Sequence, residues 1–177
     1  MKICILLAGG PGMAKARRRI NSEDPLDIPR YLSKKLSPVD KNYDFVIIDT
    51  GPGWDEVTLN IVFYVNEILA PVSMEVLTVS SLAEFQKRVD HLQNSGAPAK
   101  LEYILPTFLD KRVKKSDEIY QLLNTKFENK VCDPIRYNVK LSEAPAFNET
   151  IFEHDKHSTG AQDYAKLVKR ILENGKS

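Results

Sequence analysis

Residues 43–53, YDFVIIDTGPG, constrain the fold of this chain more than any other stretch. A tyrosine-led run of apolar, mostly β-branched residues, ending in a carboxylate and then a Gly/Pro turn, predicts a strand buried on both faces of a parallel sheet. Asp49 falls at the C-terminal end of that strand, where the crevice of an open α/β sheet lies and a carboxylate can serve a nucleotide-bound Mg²⁺. Such chemistry also calls for a glycine-rich loop around the phosphates, a Lys on them and a Ser or Thr on the metal. No G-x-x-x-x-G-K-[ST] occurs in the 177 residues. The nearest segment, GGPGMAK at 9–15, follows the apolar run 3–8, as a phosphate loop should. Laid on such a loop, it puts Met13 at the lysine position and Ala14 at the hydroxyl position.

The rest of the chain fits an α/β protein. Short β-branched runs at 2–7, 45–49, 68–72, 101–106 and 131–135 predict five strands. Between them, helices are predicted at 80–94, at 116–127 with Ser116 as N-cap, and at 160–172, where Tyr164, Leu167, Val168, Ile171 and Leu172 form one stripe. Pro25, Pro29 and Pro38 leave room for one short helix at about 28–36. The alternation predicts a mostly parallel, doubly wound sheet with helices on both faces, in one domain spanning 1–177.

Charge narrows the partners. Lys and Arg number 25 against 24 Asp and Glu, a net +1, so no global field drives the chain onto polyanions, and nucleic-acid binding would need a local patch. Candidate patches are Lys15 with Arg17–Arg19, Lys111 with Arg112, Lys114 and Lys115, and Arg136 with Lys140. Cys4 and Cys132 sit in apolar runs, as buried thiols of a reducing compartment do. The first apolar run is too short to span a bilayer, and its basic cluster follows it, the reverse of a secretory signal. The expected location is cytoplasmic, with no membrane partner. His91, His154 and His157 show no metal-ligand spacing, and no G-x-S-x-G accompanies Ser142.

Five motifs in order carry a family resemblance. They are residues 43–52, 70–75 (APVSME), 107–112 (TFLDKR), 137–145 (YNVKLSEAP) and 158–164 (STGAQDY). Together they resemble the ParA/Soj/MinD group of partition ATPases, and 137–145 resembles the ParA/Soj branch in particular. Residues 2–16 resemble the family segment that lies between phosphate loop and Walker B strand. The short interval from Gly12 to Asp49 favours that register over a degenerate phosphate loop. In either register the loop lysines have no counterpart here, so the chain resembles a deviant P-loop fold lacking its N-terminal portion.

The resemblance implies roles residue by residue. Asp49 would be the catalytic carboxylate, holding Mg²⁺ through water. Gly51 and Pro52 would form the loop that senses the γ-phosphate. Thr107, Arg136 and Asn138 would contribute to the ATP/ADP site, although Arg136-Tyr137 replaces the family's Pro-Arg before that Asn. Arg112 and Lys140 would face DNA without reading its sequence. The implied partners are a ParB-like centromere-binding protein, DNA, and either a second copy or a full-length ParA-like chain. The implied function is ATP-dependent dimerisation and DNA binding in plasmid or chromosome partitioning, with little hydrolysis by this chain alone. Two alternatives stay open: a non-enzymatic interaction module, and a fragment whose phosphate loop is encoded upstream.

Overall fold

The computed structural model describes residues 1–8, 18–20, 28–51, 53–74, 79–110 and 112–175. They fall into two compact units, one of residues 1–67 with 87–100, the other of 68–86 with 101–177.

In the first unit, β1 (Ile3–Ala8) and β2 (Phe45–Thr50) pair in parallel, Ile3 opposite Phe45 through Ala8 opposite Thr50. β1 therefore takes one edge of the strand that ends near Asp49. The other edge of β2 has no strand partner among the described residues. A short 3₁₀ turn, Ile28–Arg30, leads into α1 (Tyr31–Asp40). This helix starts later than the predicted one and runs on through Pro38, because a proline in the last turn forfeits a single bond before the helix ends. The following helix, α2 (Glu56–Val62), is fastened to α1 by Asn60, which is 1% exposed. Its Nδ2 donates to the Glu56 carbonyl at 2.9 Å and its Oδ1 accepts from the Leu32 amide at 3.1 Å.

The second unit is built on β3 (Glu67–Ser73) and β4 (Lys100–Thr107), with helices on both faces. One face packs Val72, Leu101 and Ile104 against Leu82 of α3 (Val79–Asn94) and Leu123 and Phe127 of α4 (Lys114–Phe127). The other packs Tyr103 and Leu105 against Leu167 and Ile171 of α7 (Thr159–Asn174). Between α4 and α7 lie α5 (Val139–Glu143) and α6 (Ile151–His154). Gly160 lets α7 approach α5, since a Cβ there would meet Leu141 Cγ at 2.7 Å.

The predicted fifth strand is interrupted. Residues 131–137 run parallel to β4 with isolated bridges, Ile104 to Val131 and Leu109 to Arg136. Pro106 cannot donate across the ladder and neither can Pro134, so the Ile135 amide takes over, donating to the Pro106 carbonyl at 2.8 Å. The Ser116 cap is also corrected. α4 begins at Lys114 after Val113, and Ser116 is buried inside its first turn. The turn before it closes early through the Val113 amide on the Asp110 carbonyl, at 3.0 Å.

Candidate functional site

Asp49 occupies the position its sequence predicts, the penultimate residue of β2, with an exposed side chain. No hydrogen bond or ion pair engages its carboxylate among the described residues. The helix that follows, α2, is capped by Asp55, whose Oδ1 accepts from the Val57 and Thr58 amides at 3.1 and 3.0 Å. The D-x-x-T spacing before an apolar run was a readable signal for that cap. The turn after β2 needs a glycine, because Gly53 sits at φ +121°. Gly51 is exposed; Pro52 and the segment 9–15 lie outside the described residues. An idle carboxylate at a strand end fits a water-mediated contact to a nucleotide-bound Mg²⁺. Among the described residues no cluster of three or more acidic, His or Cys ligands could hold a metal by itself.

The remaining predicted positions belong to the second unit. Thr107 ends β4, and its carbonyl accepts from the Met74 amide at 3.0 Å. Next to it, Phe108 is 52% exposed and sits at φ +56°, an outlier for a bulky side chain. Arg136 grips Asp163 with its Nε at 2.9 Å, its Nη2 at 2.7 Å and its backbone amide at 3.1 Å. Burial alone pushes the Asp163 carboxyl up, yet these hydrogen bonds outweigh it and hold the group below the usual carboxylate range. Asn138 caps α5 through the Lys140 amide at 2.8 Å and donates to Thr159 Oγ1 at 2.7 Å. Both ends of its amide are thus engaged in joining α5 to the start of α7.

The two candidate DNA contacts are each matched by a carboxylate. Arg112 chelates Asp110 through Nε and Nη2, the shortest contact being 2.7 Å, which holds Asp110 down at about 2. Lys140 Nζ meets Glu143 Oε2 at 2.8 Å, raising the lysine and lowering the glutamate. Glu143 also lies 3.7 Å from His154, whose other ring nitrogen is 2.9 Å from Glu149. Asp49 and Gly51 belong to the first unit, and Thr107, Arg112, Arg136, Asn138 and Lys140 to the second.

The family model of an AAA domain, AAA_31, matches residues 13–103, about half of the chain. The chromosome-partitioning ATPase Soj of Treponema pallidum is 35% identical over 152 residues, 84% of this chain and 60% of that protein. The chain belongs to the ParA/Soj/MinD family. The sporulation initiation inhibitor Soj of Bacillus subtilis is a further ParA/Soj/MinD relative, 31% identical over 81% of this chain and 58% of its own length. The chain therefore spans about three fifths of these relatives. In fold it is similar to the cobyrinic acid a,c-diamide synthase of Mycobacterium smegmatis, solved with an ATP analogue and magnesium. The TM-score is 0.75 at 23% identity, over 93% of this chain and 61% of that one. That likeness bears out the α/β fold class with parallel strands and flanking helices. Among the described residues no helix is long and apolar enough to cross a membrane.

Proposed function

We propose that this ParA/Soj-type chain supplies the Walker B carboxylate and the base- and DNA-facing portions of a partition ATPase, and does not hydrolyse ATP unaided. The observation that carries the reading is Asp49, exposed at the end of β2 and bound to nothing among the described residues. A carboxylate spent on capping or on an ion pair could not serve a metal; this one is available. Phosphoryl transfer depends on cations around the phosphates, and the 177 residues contain no G-x-x-x-x-G-K-[ST] motif to supply a lysine. When bound, Mg²⁺-ATP would supply the charge that Asp49 orients through water. Gly51 and Pro52 would contact the terminal phosphate, and Thr107, Arg136 and Asn138 would frame the base. Arg112 and Lys140 would reach DNA phosphates once drawn from Asp110 and Glu143. A ParB-like protein and a full-length ParA-like chain are the proposed partners, in a cytoplasmic setting.

The test is an ATPase assay on the chain alone and mixed with a full-length ParA-like protein. The chain alone is expected to give no turnover above buffer. Turnover by the chain alone that Asp49→Ala abolishes would overturn the reading. A thermal-shift titration separates the interaction-module alternative, since a ligand held by the native state alone raises its melting temperature. No shift with Mg²⁺-ATP favours a module that works through a partner.

A further inference from the structure

His154 stands between two carboxylates. It ends α6, a single turn fixed by a reciprocal cap in which Thr150 Oγ1 accepts from the Glu153 amide and Glu153 Oε2 accepts from the Thr150 amide. Its side chain is 15% exposed, and its ring stacks on Phe147 with 5.3 Å between centroids and 26° between planes. Both ring nitrogens of this fixed imidazole face a carboxylate. Nδ1 lies 2.9 Å from Glu149 Oε2, and Nε2 lies 3.7 Å from Glu143 Oε2 on α5. That same Glu143 oxygen holds Lys140 Nζ at 2.8 Å. One carboxylate oxygen is thus shared between the imidazole and the lysine that the partition reading turns toward DNA.

A carboxylate can only accept, so Nδ1 carries the hydrogen toward Glu149, and in the neutral ring Nε2 turns a lone pair toward Glu143. A proton taken up at Nε2 makes that contact an attraction and sets a second cation against Lys140 for one oxygen. The charge around the lysine changes with it. Lys140, Glu143, Glu149 and a neutral His154 carry a net −1, which the imidazolium cancels; Asp155, whose charge also reaches Lys140, adds one negative charge in either state. Lys156 and His157 follow in the next turn. Residues 159–162 of α7, which packs on α6, carry no titratable group, and Asp163 is held by Arg136. A surface with excess carboxylate repels phosphate, and a neutralised one with a loosened ammonium admits it. We propose that His154 is a positioning residue for Lys140: its imidazolium draws Glu143 off the lysine, and a DNA phosphate takes the carboxylate's place. This rests on the proposed contact of Lys140 with DNA. A histidine changes charge between about pH 5 and 8, so affinity for DNA should rise as pH falls through that range.

The experiment measures the affinity of the full chain for a fluorescent DNA duplex by anisotropy at about pH 6 and about pH 8, at fixed ionic strength, with His154→Gln, Glu143→Gln and Lys140→Gln beside the wild type. The gain in affinity on acidification should be about threefold larger in the wild type than in His154→Gln, the scale of one charge acting across a solvated surface. His91 and His157 titrate in both proteins, so their contribution cancels. Glu143→Gln, which holds neither cation, should bind more tightly than the wild type at the higher pH and lose the same part of the gain. Without DNA, the Lys140 Cε–H signals of the wild type should move as the His154 ring takes up its proton, and should stay still in Glu143→Gln. An equal gain in wild type and His154→Gln, or Lys140 signals that ignore the His154 titration, would overturn the proposal. No binding by the wild type, or equal binding by Lys140→Gln, would instead defeat the DNA contact of Lys140, and the Lys140 signals would then decide alone whether His154 governs Glu143.

Discussion

Arg136 shows how one side chain can be committed to architecture at a position where a resemblance suggests ligand contact. Its three hydrogen bonds to Asp163 tie the segment beside β4 to the first turns of α7. Asp163→Asn keeps the shape and removes the charge, and should cost about 2 kcal/mol in urea unfolding, the scale of charge-assisted bonds at a partly exposed pair. The pH dependence has a definite sign. The folded carboxyl is depressed, so its stabilisation is complete above the unfolded value of about 4 and is lost as pH falls below it. The wild-type urea midpoint should drop between pH 5 and 3 more steeply than that of Asp163→Asn. Phe108 carries a second residue-scale expectation: at φ +56°, Phe108→Gly should be more stable than Phe108→Ala by about 1 kcal/mol, because alanine keeps the strain. Neither feature was legible beforehand. The ion pair joins residues 27 apart in sequence, and backbone strain leaves no compositional mark.

At the scale of elements, the strands were legible and their edges less so. β2 and β4 announce themselves because a run of β-branched or aromatic residues between turn signals admits few other structures. The segment 131–135 has the same composition, but Pro106 and Pro134 withdraw two donors from the ladder, and that depends on which residues face each other across strands. α4 escaped its predicted start because Ser116 resembles a cap while the chain turns three residues earlier, through Asp110 and Val113. The two sheets also differ in cover. Ile5 and Ile47 face each other in register on the β1–β2 sheet and remain 64% and 51% exposed, whereas Leu101, Ile104 and Leu105 of β4 are at most 3% exposed. Hydrogen exchange should therefore release the amides of β2 well before those of β4. Comparable protection in both would mean that the first sheet is shielded in solution. The α5–α7 crossing tests packing: Gly160→Ala should cost about 1–3 kcal/mol in chemical unfolding, since its methyl group would press on Leu141.

For the molecule as a whole, the candidate site was legible wherever a motif maps onto a strand end. Asp49 and Thr107 stand where their sequences place them, because the C-terminal ends of parallel strands are set by hydrophobic pattern. What motif matching could not convey is occupancy by the chain itself: Arg112, Arg136, Asn138 and Lys140 each hold a partner inside the protein. DNA affinity should be weak in consequence. With a net charge of +1 and two candidate phosphate contacts, log K should fall with log salt at a slope near −2, by about 0.9 per phosphate. A filter-binding series at two or more salt concentrations checks this, and a slope beyond −4 would require a wider basic surface than Arg112 and Lys140 provide.

The bare isoleucine pair of the first sheet also governs how this polypeptide behaves in the test tube. A greasy stripe beside a strand margin left unpaired among the described residues invites precipitation and capture by folding helpers during overproduction, so detergent or low concentration should prolong its shelf life. Placing a lysine at Ile5 would make the stripe wettable while leaving the backbone ladder to Ile47 undisturbed, a practical route to well-behaved material.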